Sequence, residues 1–143
     1  MRYLLDASAL LPLVTGFGKE LIGKGSREWL ATTDLGLYEA CNSLWKLSTL
    51  LRSIPVHEGT EVAAVLGELT RRDVIHLVSI AGVEIPATFR LACDENLTFY
   101  DASYVTAARQ ESAVLVTEDV KLRELAEKHI KTISYSSLCH KLG

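Results

Sequence analysis

The sequence predicts an α/β domain in which helices cover both faces of a mainly parallel central sheet. Three observations predict it. Arg2-Tyr3-Leu4-Leu5 and Ala113-Val114-Leu115-Val116 are apolar runs too short for helices, and they read as buried strands. Segments with helical spacing lie between such runs, and that alternation is how parallel sheets are built. The chain has 143 residues, 48% of them hydrophobic, which suits one domain spanning 1–143 with its own core.

Taken in order, Arg2 to Leu5 is the first strand, followed by Asp6-Ala7-Ser8 and a brief helix start at Ala9-Leu10-Leu11-Pro12. Asp6 or Ser8 is a possible N-cap there. The next stretch, Gly16 to Ser26, is glycine-rich. Gly18-x-x-x-x-Gly23-Lys24 comes close to a phosphate-binding loop, but Gly25 stands where Ser or Thr is required and Ser26 is one place late. A loop with one short helical turn is expected instead, its lysines and Arg27 being candidate phosphate contacts. Trp29 to Thr33 reads as a strand. Asp34 then caps a helix running to about Arg52, with Leu37, Cys41, Leu44, Ser48 and Leu51 inward. Glu39, Asn42, Ser43 and Lys46 form a polar stripe on another side of that helix.

Ile54-Pro55 ends this helix, because the residue before proline resists helical geometry. Glu58 to about Ile80 reads as a helical hairpin or a bent helix, with a break at Arg71-Arg72-Asp73. Gly82 to Pro86 reads as a short strand, and Ala87 to Glu95 as a helix stopped by Asn96. Thr98 opens the next helix, on which Asp101, Tyr104, Val105 and Ala108 share one inward face. Ala113 to Val116 is the clearest strand. Asp119 caps a helix from Val120 to His129, Lys131 to Ile133 is an edge strand, and Tyr135 to Lys141 is a terminal turn.

Bulk properties exclude several classes. No apolar run approaches the roughly 20 residues of a membrane span. The early Asp6 interrupts any signal-peptide core, so a cytoplasmic location is expected. The 3 cysteines are widely spaced, without a CxxC pair, and read as small core residues. The 4 histidines lack the spacing of a zinc site. A formal net charge of −3 gives no overall attraction to nucleic acid, so an RNA partner requires local basic residues or a metal ion.

Four acids carry the chemistry: Asp6, Glu39, Asp101 and Asp119. Each alone has a plain explanation. Asp6 and Asp119 can be N-caps, Thr98-x-x-Asp101 fits a capping box, and Glu39 can be surface. Together they lie at strand-to-helix junctions or in early helical turns, where an α/β fold gathers one cleft. Helix N-termini favour each negative charge by only about 0.3–1 kcal/mol, too little to hold four carboxylates together. Uncompensated, at least one would bind a proton. A hard divalent cation, Mg²⁺ or Mn²⁺, removes the conflict.

In these residues the chain resembles PIN-domain ribonucleases. The likeness runs through Leu4-Leu5-Asp6-Ala7-Ser8, Tyr38-Glu39-Ala40-Cys41-Asn42, Leu97 to Tyr104, and Leu115-Val116-Thr117-Glu118-Asp119. Its size is similar to the stand-alone VapC toxins of VapBC toxin–antitoxin pairs. The resemblance implies a PIN-like three-layer α/β/α sandwich and metal-dependent cleavage of RNA phosphodiesters by an endoribonuclease. It implies Asp6, Asp101 and Asp119 as metal ligands, with Glu39 as a ligand or as the group orienting water. It further implies a cognate VapB-type antitoxin and a homodimer. Ser8 and Thr117 are candidates to hydrogen-bond the carboxylates, Asn42 to meet a phosphate or carboxylate, and Glu118 to join the acids. Lys46, Arg52, Lys121 and Arg123 are candidate RNA-backbone contacts. The glycine-rich segment after Val14 departs from the family pattern. Housekeeping RNA processing and a non-catalytic protein-binding module are the alternative roles.

Overall fold

The computed structural model describes residues 1–24 and 27–143. Five strands form one sheet: β1 (Arg2–Leu5), β2 (Trp29–Thr33), β3 (Ile75–Val78), β4 (Val114–Val116) and β5 (Thr132–Ile133). Their order across the sheet is β3-β2-β1-β4-β5, and every neighbouring pair is parallel. The strand order reverses direction between β2 and β4, on either side of β1, and β1 is central. Leu4 pairs with Ala31 on one side and with Leu115 on the other.

Eight α-helices connect the strands among the described residues: α1 (Ala7–Phe17), α2 (Leu21–Lys24), α3 (Asp34–Trp45), α4 (Val56–Arg71), α5 (Ile85–Glu95), α6 (Phe99–Gln110), α7 (Val120–Ala126) and α8 (Tyr135–Leu142). The period-2 geometry of β1 divides the core between two layers. Tyr3 and Leu5 face a cluster with Leu10 and Leu13 of α1, Leu66 and Leu69 of α4, and Leu138 of α8. Leu4 faces the opposite cluster, with Leu91 of α5, Tyr104 and Val105 of α6, and Leu122 of α7. Each fully buried leucine contributes about 1.5–3 kcal/mol by leaving water. This is the expected three-layer α/β/α sandwich.

Several local expectations change. The helix after Asp6 is longer than a brief start, because it runs to Phe17 with Pro12 inside it. The glycine-rich stretch is largely helical, with a 3-10 turn at Gly18–Glu20 leading into α2. Leu21 is fully buried, so the segment is packed down and not looped around a phosphate. Lys24 Nζ donates instead to the Leu142 carbonyl at 3.5 Å. Gly25 and Ser26, on which the phosphate-loop reading also turned, lie outside the described residues.

Thr33, not Asp34, caps α3, its hydroxyl accepting from the Gly36 amide at 3.0 Å. The expected single helix to Arg52 ends at Trp45 and passes into a wider π turn at Lys46–Leu50. That shift takes Leu51 out of the core. Val74 to Val78 holds strand β3, not helix, because it pairs with β2. Gly82 to Pro86 forms no strand, since a 3-10 turn leads directly into α5. The terminal turn is the full helix α8. Cys41 and Cys93 are exposed and Cys139 is half-buried, so they are not core residues. Asn96 ends α5 in the left-handed conformation, as expected.

Gly36 marks where α3 touches the sheet. A Cβ there would meet the Thr32 hydroxyl at 2.1 Å and the Tyr104 ring at 3.3 Å. That hydroxyl donates to the Leu5 carbonyl at 2.7 Å, directly before Asp6. Gly36→Ala therefore costs about 1–3 kcal/mol of stability through overpacking, seen as a lower urea midpoint. An unchanged midpoint would show that this contact is slack.

Candidate functional site

At the carboxyl edge of the sheet lies a pocket of about 440 Å³. Asp6, Glu39, Asp101 and Asp119 all line it, together with Ser8, Asn42, Lys46 and Tyr104. The fold supplies each acid from a different place. Asp6 follows β1 and caps α1, Glu39 lies on α3, Asp101 lies in the first turn of α6, and Asp119 follows β4 and caps α7.

Asp6 is the most deeply buried of the four, with only 5% of its surface exposed. Its amide donates to the Val116 carbonyl at 3.1 Å, which ties the end of β1 to β4. Ser8 donates to Oδ1 at 2.6 Å, the Ala9 amide donates to the same oxygen at 3.2 Å, and Thr117 donates to Oδ2 at 2.5 Å. Burial nevertheless pushes the Asp6 carboxyl above the usual carboxylate range, and the charge of Asp101 adds to the rise. The three hydrogen bonds oppose it.

Asp101 is also raised, first by burial and then by the charges of Asp119 and Glu39, with Lys121 opposing weakly. Glu39 accepts a hydrogen bond from the Tyr104 hydroxyl at 2.5 Å. Tyr104 is 2% exposed, and burial together with Glu39 pushes its own pKa far upward, so it remains a donor. Asp119 accepts from the Leu122 amide at 3.1 Å within its own helix. Its own amide donates to Thr117 Oγ1 at 3.0 Å.

The four acids thus share a pocket, and the carboxylates of Asp6, Glu39 and Asp119 each accept hydrogen bonds from within the fold. Among the described residues no three carboxylate, imidazole or thiol groups stand together as a closed cage for an ion. The arrangement is an open bowl lined by like charges. Among the described residues none of the four acids is in an ion pair, and Lys46 is the single cation on the lining. The donors are all hard oxygens, a set that fits Mg²⁺ or Mn²⁺ and not zinc or copper.

The remaining candidates divide. Ser8 and Asn42 line the pocket, and Thr117 lies beneath it on Asp6. Glu118 does not join the acids, because its carboxylate accepts the Tyr135 amide at the start of α8. Its backbone amide instead donates to Ser8 Oγ at 2.9 Å. Arg123 spends a guanidinium nitrogen on the Thr117 carbonyl at 3.2 Å, behind the site. Arg52 and Lys121 are not on the lining. Tyr104 is a further residue of the site, which the pattern of acids alone does not pick out. Its signal was a buried hydroxyl on the Asp101 face, which needs a partner.

The raised carboxyls set a sign for pH dependence. A group whose pKa is higher in the folded chain stabilises it fully below the ordinary carboxylate value. That contribution is lost as pH rises through the folded value. With divalent ions chelated, Asp101→Asn should therefore raise the melting temperature at neutral pH, and the gain should fade as the solution is taken below about pH 4. Equal melting curves at both pH values would show that the charges do not repel.

No family model matches the chain. The chain is 37% identical to Exonuclease VapC9 of Pyrobaculum aerophilum, over 100% of its own length and 97% of that protein's. It is 34% identical to Ribonuclease VapC3 of the same organism, covering 90% of this chain and 95% of the relative. Among solved structures, PAE2754 from Pyrobaculum aerophilum superposes with a TM-score of 0.75 at 28% identity, covering 99% of this chain and 98% of that one. VapBC-1 from nontypeable Haemophilus influenzae superposes with a TM-score of 0.63, over 95% and 99% of the two chains. At 15% identity that second likeness is one of fold alone.

Proposed function

This chain belongs to the VapC-type PIN family, and from that premise we propose that it is a Mg²⁺- or Mn²⁺-dependent endoribonuclease, the toxin of a VapBC pair. The observation that carries the reading is the pocket lined by Asp6, Glu39, Asp101 and Asp119, drawn from four separate elements without a salt bridge among the described residues. A fold maintains such repulsion only where something compensates it. The names of the relatives, an exonuclease and a ribonuclease, agree with phosphodiester chemistry. Exposed Glu39, Asn42, Lys46 and Asp119 leave the bowl open, so a strand can pass through it, as cleavage within a chain requires.

The four acids would hold the cation. When bound, it supplies an activated water and offsets charge on the attacked and leaving oxygens. The residues of the chain do the rest. Ser8 donates to one Asp6 oxygen and Thr117 to the other, which fixes the plane of that carboxylate. Tyr104 occupies Glu39 Oε1 and leaves Oε2 to orient water or accept its proton. Lys46 lies at the rim, where it meets phosphate charge.

The same uncompensated acids suit a VapB-type antitoxin that presents a cationic side chain to the bowl. The homodimer is also part of the reading. Ile85 and Phe89, one turn apart on α5 and both exposed, offer an apolar face to a second copy. A cytoplasmic setting completes it, in line with free cysteines at all three positions.

Single-stranded RNA should be cleaved in Mg²⁺ or Mn²⁺ and spared in chelator. Asp6→Asn and Asp101→Asn should abolish cleavage, and Thr117→Val should slow it about 10–100-fold while the chain stays folded. An inert wild type in both metals, free of antitoxin, would return the protein to the role of a binding module.

A further inference from the structure

Beside the acid bowl lies a second pocket of about 340 Å³. Its surface is almost wholly apolar, formed by Leu35, Tyr38, Ile80, Val83, Phe99 and Tyr100. Tyr38 borders both pockets. The reason is local. Tyr38 precedes Glu39 on α3 and Tyr100 precedes Asp101 on α6, and one step along a helix turns the side chain by about 100°. Each helix therefore shows a carboxylate to one pocket and a phenol ring to the other. Both rings are largely free, with Tyr38 77% and Tyr100 61% exposed.

The walls are held in place. Asp34 Oδ2 accepts the Ile80 amide at 3.1 Å. Gln110 clasps the following loop, donating to the Gly82 carbonyl and accepting the Glu84 amide, both at 2.8 Å. The nearby hydroxyls are occupied within the fold: Thr33 accepts the Gly36 amide, and Ser103 donates to the Tyr100 carbonyl. What remains to offer a ligand is aromatic and aliphatic surface, with the phenol hydroxyls of Tyr38 and Tyr100 at its edge.

We propose that this pocket is a nucleobase subsite, which takes one unpaired base of the RNA strand whose phosphate lies among the acids. The proposal rests on the nuclease reading and names the form of its substrate. A base in this pocket is joined by its own ribose to the phosphate next door, so Tyr38 is bordered by two parts of one ligand. Aromatic platforms stack every base, because each base has a flat face whatever its edges carry. The subsite therefore selects for an unstacked base, hence for single-stranded RNA.

The test uses the full chain and single-stranded RNA carrying 2-aminopurine at each position in turn, bound in Ca²⁺, with cleavage followed separately in Mg²⁺ and Mn²⁺. The expected result is quenching of the probe at one position beside the cut. Tyr38→Ala and Tyr100→Ala should each remove the quench and weaken binding about tenfold, whereas Tyr38→Phe and Tyr100→Phe keep both. Wild-type affinity in the alanine variants, or an equal loss in the phenylalanine variants, overturns the subsite while cleavage still stands. Unchanged affinity would leave the pocket to an apolar side chain of a protein partner. A wild type that neither binds nor cleaves RNA ends the nuclease reading, and the subsite with it.

Discussion

The constraint on which the rest depends is a buried carboxylate at the end of the central strand. Asp6 leaves β1 where its backbone is still bonded to Val116, and its two oxygens are met by Ser8, Ala9 and Thr117. Three donors are needed because a charge so deep is otherwise costly. They come from both sides of the β1–β4 pair, so satisfying Asp6 fixes how the two strand ends approach. Asp119 is placed by the same group, since Thr117 Oγ1 also receives its amide. One threonine hydroxyl thus couples two of the four acids.

The opposite face of the bowl is set by a different long-range bond. Tyr104 of α6 reaches Glu39 of α3, and Gly36 of α3 lies between the Thr32 hydroxyl of β2 and the Tyr104 ring. Without a Cβ at Gly36 the helix lies close to the sheet, which brings Glu39 within reach of the phenol. The two halves of the site are therefore held by hydroxyl donors on carboxylate acceptors, not by ion pairs. Such donors orient the charge without cancelling it. Burial first, and the charges of neighbouring acids after it, leave Asp6 and Asp101 with raised affinity for protons.

The sandwich also explains why the acid bowl has an apolar neighbour. The chain that follows β3 folds over α3 and α6 at the same sheet edge, and Asp34 and Gln110 pin it there. Polar and apolar surfaces then lie side by side, divided by Tyr38. The proposed RNA substrate, with an anionic backbone and bases whose flat faces stack on aromatic rings, would match that division.

The sequence by itself determined what depends on near neighbours. The strands Arg2–Leu5 and Val114–Val116 were legible as short apolar runs, the N-cap at Thr98 and the stop at Asn96 as local backbone chemistry, and the order of the four acids as a pattern along the chain. Only the tertiary structure decided the rest. Val74 to Val78 has apolar residues that suit a helix or a strand, and pairing with β2 chose the strand. Cys41 had helical spacing with the core but faces solvent, because Gly36, Ala40 and Leu44 take the buried side of α3. Glu118 stood beside Asp119 in sequence, yet the free amide at the start of α8 drew it away. The bond from Tyr104 to Glu39 and the aromatic pocket join segments far apart in the chain. Periodicity reports on which side of an element a residue lies, but the partner waiting on that side is set by the strand order β3-β2-β1-β4-β5.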